Sequence, residues 1–401
     1  MTFKIKTLNA ISNVGLSRLP KQDYEVGTDI SDPDAILLRS ANMHSVELPQ
    51  SVLAVARAGA GTNNIPIAEF SAKGVPVFNT PGANANAVKE LVVAALFLAA
   101  RNIIPAAAFA HRLDGDSAEM DKSVEAGKKS YVGFELPGRT LGVIGLGAIG
   151  VEVANAASAL GMRVLGYDPA ITVDHAWRLS AKVERVTNLE MLLKRCDILT
   201  LHVPLIDATR SMIAADQLAL MRKSAVLINF ARGPIVDEDA VVAALESGRL
   251  RGYVCDFPSP KLNKREKVVT LPHLGASTNE AEENCARMAA DQLKAYLEDG
   301  TILNSVNFPN AELARNEGTS RLAIANSNVP NMVGQISTLL AEAGLNISDL
   351  LNKSRGELAY TLVDVEQEIP AATLEQIKQI AGVLSARVIA THDSPPGQPA
   401  G

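Results

Sequence analysis

Short apolar runs alternate with helix-length segments from the first residues onward. FKIKTLN, DYEVG, AILLRS, LAVARAG and VPVFNT predict five strands within the first eighty residues, several of them followed by stretches long enough to cover a sheet. That order predicts a parallel α/β layer. From about Asn84 to Arg101 apolar residues run nearly all the way round a helix, which predicts a buried helix between domains or against another subunit. A looser, charged stretch from Asp114 to Lys129 leads into a second series. There TLGVIG, RVLGYD, DILTLHV, AVLINFA, RGYVCDF and KVVTLP predict six strands, with helices over GAIGVEVANAASALG and centred on Met191, Leu218 and Val241. Right-handed crossovers make such a series a doubly wound, Rossmann-like parallel sheet.

From Thr278 a helix of some twenty residues runs to a glycine stop at Gly300. After TILNSVNFPN, the polar segment AELARNEGTS reads as a linker. Beyond it, RLAIANS, NISDLLN, ELAYTLVDV and SARVIA predict strands, with helices over Asn331–Ala343 and Ala371–Ala381. That βαββαβ order predicts a ferredoxin-like sandwich. The tail THDSPPGQPA and its final Gly are expected to be disordered.

The 401 residues provide enough chain for two or three domains, each able to bury a core. Forty-four acidic against 38 basic residues give a formal charge of −6, which argues against nucleic-acid or membrane-surface partners. The most apolar stretch, Leu91 to Ala100, is stopped by Arg101 and falls short of the ~20 residues a membrane span needs. Cys196, Cys255 and Cys285 lack zinc or redox spacing and read as reduced packing residues of a cytoplasmic protein; no metal site is expected.

Gly145, Gly147 and Gly150 form G-x-G-x-x-G directly after a strand and at the mouth of a helix. The first permits a tight turn, the second lets a pyrophosphate approach the backbone, and the third allows close helix–strand packing. Asp168 closes the next strand, 23 residues after Gly145, where a carboxylate accepts from both ribose hydroxyls and repels a 2′-phosphate. NAD is therefore the expected cofactor rather than NADP. Two later blocks, INFARGPIVDEDAVVAAL and LPHLGASTNEAEENCA, each place one reactive residue just past a strand. Arg232 there can hold a carboxylate or polarise a carbonyl, and His273 can pass a proton to or from a carbinol oxygen. A hydride enzyme needs both roles beside its nicotinamide. On spacing alone, a surface arginine and a hydrogen-bonded packing histidine fit these two positions equally well.

RAGAGTNNI at Arg57 to Ile65, LGVIGLGAIG, the FARG block and PHLGAST together resemble the D-specific 2-hydroxyacid dehydrogenases, over about residues 1–310. The trailing unit resembles an ACT domain, a small amino-acid-binding regulatory module. The combination is similar to family members that oxidise 3-phosphoglycerate to 3-phosphohydroxypyruvate with NAD, the first step of phosphorylated L-serine synthesis. The resemblance implies an α/β fold of two doubly wound domains plus the ACT unit. A substrate domain would span 1–95 and 281–310, with its cleft against an NAD domain at 96–280. A linker at 311–319, an ACT domain at 320–391 and a tail at 392–401 complete the division. It implies a homodimer or homotetramer. Alternatives are a hydroxypyruvate or glyoxylate reductase, and a non-enzymatic NAD-sensing corepressor.

The resemblance assigns Arg232 to the 2-oxo acid, His273 to acid/base work and Asp256 to the neighbourhood of the nicotinamide amide. Ala148 and Ile149 would lie over the pyrophosphate, Phe230 and Ala231 would line the nicotinamide side, and Gly275 and Ala276 would follow the histidine in the cofactor site. The Ala60 and Gly61 amides would form a carboxylate-binding turn. The family's glutamate partner of the histidine has no counterpart in CDFPSPKLNKREK, where Glu266 is a poor match, leaving Asp256 as a stand-in. For the substrate's phosphate, Arg57 inside the turn motif is the first candidate. Arg39 and Lys89 follow, with solvated or structural roles the alternative. In the ACT-like unit, Asn326, Asn328 and Asn346 occupy the places of an L-serine site, and Asn331 stands where relatives have glycine. Asparagine tolerates a left-handed backbone, so the turn should survive. Serine binding at an interface between subunits competes with a purely assembling role. His44, His111, His175 and His392 show no partner pattern; His202, in LTLHVPL, ends a strand, where it either lines the cleft or packs, with packing preferred, and Trp177 reads as a packing residue.

Overall fold

Three sheets organise the chain in a computed structural model that describes residues 2–316 and 318–389. Two compact units emerge, one of residues 1–84 with 282–401 and one of Ala85–Ala281. The expected disordered tail and His392 lie outside the described residues.

The first unit opens with β1 (Phe3–Leu8), α1 (Asn13–Leu16), β2 (Tyr24–Gly27), β3 (Ala35–Leu38), β4 (Ala54–Arg57), α2 (Ile67–Ala72) and β5 (Val77–Phe78). The five expected strands pair in parallel in the order β2-β1-β3-β4-β5. β3 is buried at every position, as a strand covered on both faces must be.

The second unit begins with α3 (Ala85–Arg101), whose buried stripe is Ala85, Val88, Val92, Ala95, Leu96 and Ala100. Phe97, on the other side, is 39% exposed in the single chain, so the burial expected between domains does not cover that face. α4 (Ile103–Ala110) follows, and the stretch read as looser, Asp114 to Lys129, holds α5 (Ser117–Gly127). α5 opens with a reciprocal capping box between Asp116 and Glu119, and neither helix has a buried residue.

Then follow β6 (Thr140–Ile144), α6 (Ala148–Ala159), β7 (Arg163–Tyr167), α7 (Val173–Arg178), β8 (Glu184–Arg185), α8 (Leu189–Arg195) and β9 (Ile198–Leu201). α9 (Ala215–Leu220), β10 (Ala225–Asn229), α10 (Glu238–Glu246), β11 (Leu250–Cys255) and β12 (Val268–Thr270) complete the unit. All seven strands are parallel, in the order β12-β11-β10-β9-β6-β7-β8, one more than the sequence pattern predicts. The addition, β8, is two polar residues at the sheet edge. Trp177 is 84% exposed on α7, which buries nothing, so its packing role is corrected. Cys196, Cys255 and Cys285 are buried free thiols, as expected.

α11 (Asn279–Asp299) leads back to the first unit, where Asn307 accepts from Val77 N–H at 2.9 Å and Ser305 bridges Phe78. β13 (Ser320–Ser327), α12 (Met332–Glu342), β14 (Ile347–Arg355), β15 (Leu358–Val365), α13 (Ala371–Lys378) and β16 (Val383–Ile389) form an antiparallel sheet ordered β14-β15-β13-β16 with two helices, the ferredoxin-like order. Leu322 and Ile324 point into a core with Met332, Ile336 and Ile377. The alternate residues Ala323 and Ala325 join Ile5, Phe78, Leu293 and Phe308 in the core of the first sheet, so this sheet is covered on both faces.

The segment read as a linker is pinned rather than loose. Ala311 bridges Ile302, and Ala314 C=O accepts from Arg321 at 3.2 Å. Arg321 also makes a bidentate pair with Asp364, both bonds 2.7 Å and both side chains fully buried, and donates to Asp299 C=O at 3.1 Å. Arg387 donates to the carbonyls of Tyr296 and Leu297, and Tyr360 O–H to that of Gly300 at 2.8 Å. In the last turn of α11 Tyr296 C=O also accepts from Gly300 N–H at 2.9 Å, and side chains of the C-terminal sheet cap the carbonyls that follow.

Candidate active site

Parallel strands collect ligands at their carboxyl ends, and the candidate residues of the second unit follow that edge in order. His273 lies three residues beyond β12, Asp256 follows β11, Phe230 to Arg232 follow β10, and His202 follows β9. Gly145 follows β6 and Asp168 follows β7. The order reverses between β9 and β6, which separates a catalytic half from a nucleotide half at the switch point.

The glycine turn has the geometry a dinucleotide needs. Gly145 has φ +88°, and a Cβ there would stand 2.5 Å from the carbonyl of His202. At Gly150 a Cβ would lie 1.9 Å from Gly145 O, so that glycine permits the helix to pack on the strand. At Gly147, the N-cap of α6, a Cβ would meet nothing within 4 Å. That open face lies before the first-turn N–H groups of Ala148, Ile149 and Gly150, which have no acceptor within the helix. Asp168 accepts from Leu146 N–H and Ala170 N–H, each at 2.8 Å, which orients its carboxylate at the end of β7. These residues suit NAD.

In the catalytic half, Asn229 shapes the FARG turn. Fully buried at the end of β10, it accepts from Ala231 N–H at 3.1 Å and donates to Arg232 C=O at 2.9 Å. It also donates to the Tyr253 hydroxyl at 3.4 Å, and burial pushes that phenol well above its ordinary pKa. The guanidinium of Arg232 donates to Ala231 C=O at 2.6 Å. Phe230 and Ala231 are buried among core residues, so only the turn's Arg232 presents an exposed side chain.

Asp256 is 1% exposed, and its two oxygens accept from Leu274 N–H and Gly275 N–H, both at 2.8 Å. It therefore clamps the loop directly after His273; among the described hydrogen bonds, none joins it to the imidazole in place of the missing glutamate. His273 is exposed at φ +57° and packs edge-on against Phe257, ring centroids 5.4 Å apart. Ala276, at the next position after Gly275, is half-buried.

His202, read as a strand-end packing residue, packs against the glycine turn. Its backbone closes on Gly145, its Nε2 lies 3.0 Å from Thr200 Oγ1, and burial pushes the imidazole down to about 3. The sign follows from the unfolded chain binding its proton near pH 6.5. Stability from a neutral His202 is complete above that pH and is lost as pH falls towards 3, by up to about 1.4 kcal/mol per pH unit. Denaturation midpoints of His202→Asn should therefore fall less steeply than those of the parent between pH 6 and 4; parallel slopes would refute this.

In the first unit, Arg57 ends β4 and curls back over Gly59, whose hypothetical Cβ would stand 2.4 Å from its guanidinium. Gly59, at φ +155°, is what leaves room for that arginine. Ala60 C=O accepts from Asn79 at 2.7 Å, which fixes the turn carrying the Ala60 and Gly61 amides. Arg39 is paired with Glu282 at 2.5 Å, and Lys89, in the second unit, stands 4.0 Å from Glu90. In the C-terminal sheet, Asn326 is 1% exposed and its amide is spent on Ser327 C=O and Thr361, so it faces no effector surface. Asn328 and Asn346 are exposed, bonded to Gly356 C=O and Glu366. Asn331 adopts φ +64°, the left-handed turn expected of it.

Residues 98–275 match the family model described as D-isomer specific 2-hydroxyacid dehydrogenase, NAD binding domain. The chain belongs to the D-isomer specific 2-hydroxyacid dehydrogenases and is an NAD-dependent oxidoreductase. It is 34% identical to the D-3-phosphoglycerate dehydrogenase of Haemophilus influenzae, over 96% of this chain and 94% of that one. To that of Methanocaldococcus jannaschii it is 35% identical, over 90% of this chain and 67% of that one. Among solved structures, the NAD+-bound 3-phosphoglycerate dehydrogenase of Entamoeba histolytica is similar at a TM-score of 0.60 and 25% identity, covering 77% of this chain and 99% of that one. The holo D-mandelate dehydrogenase of Rhodotorula graminis shares the fold at a TM-score of 0.67, covering 78% and 100%. Among the described residues, no single helix is long and apolar enough to cross a membrane.

Proposed function

We propose that this chain oxidises 3-phosphoglycerate to 3-phosphohydroxypyruvate, with 3-phosphoglycerate dehydrogenation as the entry to serine synthesis. The observation that carries the chemistry is the order along one sheet edge: His273, Asp256 and Arg232 on three adjacent strands, then the glycine turn and Asp168. NAD, when bound, supplies the hydride acceptor for C2. His273 takes the hydroxyl proton, Arg232 holds the carboxylate and the developing carbonyl, and Asp256 holds the histidine loop in place. Arg57, with the Ala60 and Gly61 amides, binds the phosphorylated acid in residues 1–95, which with 281–310 make the substrate domain; 96–280 bind NAD.

The likeness to relatives named for this substrate supports that choice. NADH consumption should be much faster with 3-phosphohydroxypyruvate than with hydroxypyruvate, and Arg57→Gln should erode that preference. Equal rates in the parent would instead identify a general 2-oxo acid reductase. Residues 320–391 act as an ACT unit joined through 311–319, with Asn328 and Asn346 left for an amino-acid effector such as L-serine.

Homo-oligomer formation, as a dimer or tetramer, is supported by the apolar side chains that α3 and α4 expose: Phe97, Ile103 and Ile104. Light scattering should return a multiple of 42.4 kDa, and a single-chain mass would overturn the reading.

A further inference from the structure

The carboxyl ends of the second unit's strands carry the cofactor and catalytic residues; their amino ends carry a feature that this chemistry does not use. Just before β6 and within the starts of β9 to β11, a hollow of about 140 Å³ gathers Arg139, Arg222, Lys223 and Arg251 around Phe134, with Asp197 as the one carboxylate in its wall. Asp197 is already committed, accepting from Thr140 N–H at 2.8 Å and from Arg222 at 2.9 Å. That leaves Arg139, Arg251 and Lys223 without a counter-charge in the wall. Both free guanidiniums lie over the Phe134 ring, 5.1 and 5.0 Å from its centroid. The ring holds two like charges within about 10 Å of one another, in a chain whose formal charge is −6.

We propose that this hollow is an oxyanion site that takes a phosphate group, held by Arg139, Arg251 and Lys223. Its volume accommodates a phosphate. Two planar forks and a flexible ammonium suit tetrahedral oxygens, and stacking on Phe134 limits the freedom the arginines would otherwise lose on binding. The source is free phosphate or the phosphoryl end of a small metabolite; both present the same group.

The test is titration of the full chain with inorganic phosphate, followed by calorimetry and melting midpoint. Ionic strength is held constant with chloride, and saturating NADH fills the pyrophosphate turn. Parallel titrations of Arg57→Gln and of Arg57→Gln with Arg139→Gln, using 3-phosphoglycerate, distinguish the sources: the part of the binding that Arg139→Gln removes belongs to the hollow, and the ligand for which it is tighter is the occupant. Arg139→Gln and Arg251→Gln should each weaken phosphate binding about tenfold or more, as loss of a charge-assisted hydrogen bond does. Lys223→Gln, at an exposed side chain whose loss spares the ring stacking, should weaken it as well. Arg57→Gln should leave it unchanged, which separates this site from the substrate's, and kcat should be unaltered in the Arg139 and Arg251 variants. A phosphate response that survives all three substitutions, or that chloride alone reproduces, overturns the proposal.

Discussion

Asp364→Ala should destabilise the protein by about 3–5 kcal/mol, because it strands the guanidinium of Arg321 in a fully buried position. The loss is not that of a surface ion pair, where solvent would take over. β13 and β15 place the two residues directly opposite one another, and neither side chain has any exposure. Burying such a pair gives little net stability, but breaking it leaves the whole desolvation penalty. Arg321→Met with Asp364→Leu should recover only part of the loss. It removes the orphaned charge, yet leaves Asp299 C=O and Ala314 C=O without the donor that Arg321 supplies. Guanidinium unfolding of the two variants and the parent decides the matter; a single variant as stable as the parent would refute the argument.

His273→Gln should lower kcat by about 10²–10⁴-fold while NADH binding persists, since the proposed proton acceptor is removed and the glycine turn is untouched. Asp256→Ala should mimic it to a lesser degree. It leaves two amides without their acceptor, frees the loop that carries the histidine, and a misplacement of ~1 Å can cost about 10² in rate. If Asp256 acts through His273, the double variant should be no slower than His273→Gln alone. Multiplying losses, measured by steady-state NADH formation, would instead give Asp256 a separate role in the reaction.

The dinucleotide turn was legible because each of its requirements falls on a residue type: two glycines that a Cβ would crowd, a third whose open face faces the cofactor, and an acid one strand later. The five leading strands were legible for the same reason, since apolar runs between turns leave few alternatives. Asn229 was not. A single asparagine closing AVLIN looks like any strand end, and its two bonds to the FARG turn exist only once the chain has bent. The helix α5 had its signal, Asp116 three residues before Glu119, but a polar segment that buries nothing gives no periodicity to reinforce it. Trp177 misled because large aromatics are usually covered, whereas a six-residue helix beside a two-residue edge strand offers nothing to cover it. The pairing of Arg321 with Asp364, 43 residues apart, needs the strand register, which composition does not carry.

The capping of α11 by Arg321, Arg387 and Tyr360 bears on how this chain can be cut. A regulatory unit attached at the end of an enzyme invites excision, on the view that the remainder folds as before. Here a stop codon at 311 would bare three backbone carbonyls, at Leu297, Asp299 and Gly300, and strip Tyr296 C=O of its second donor. It would also uncover Leu293, Phe308 and Phe78 on the face that Ala323, Ala325 and Tyr360 close. Residues 320–389 are thus a wall of the first unit rather than an appendage, and truncation alone should not yield a minimal dehydrogenase from this chain.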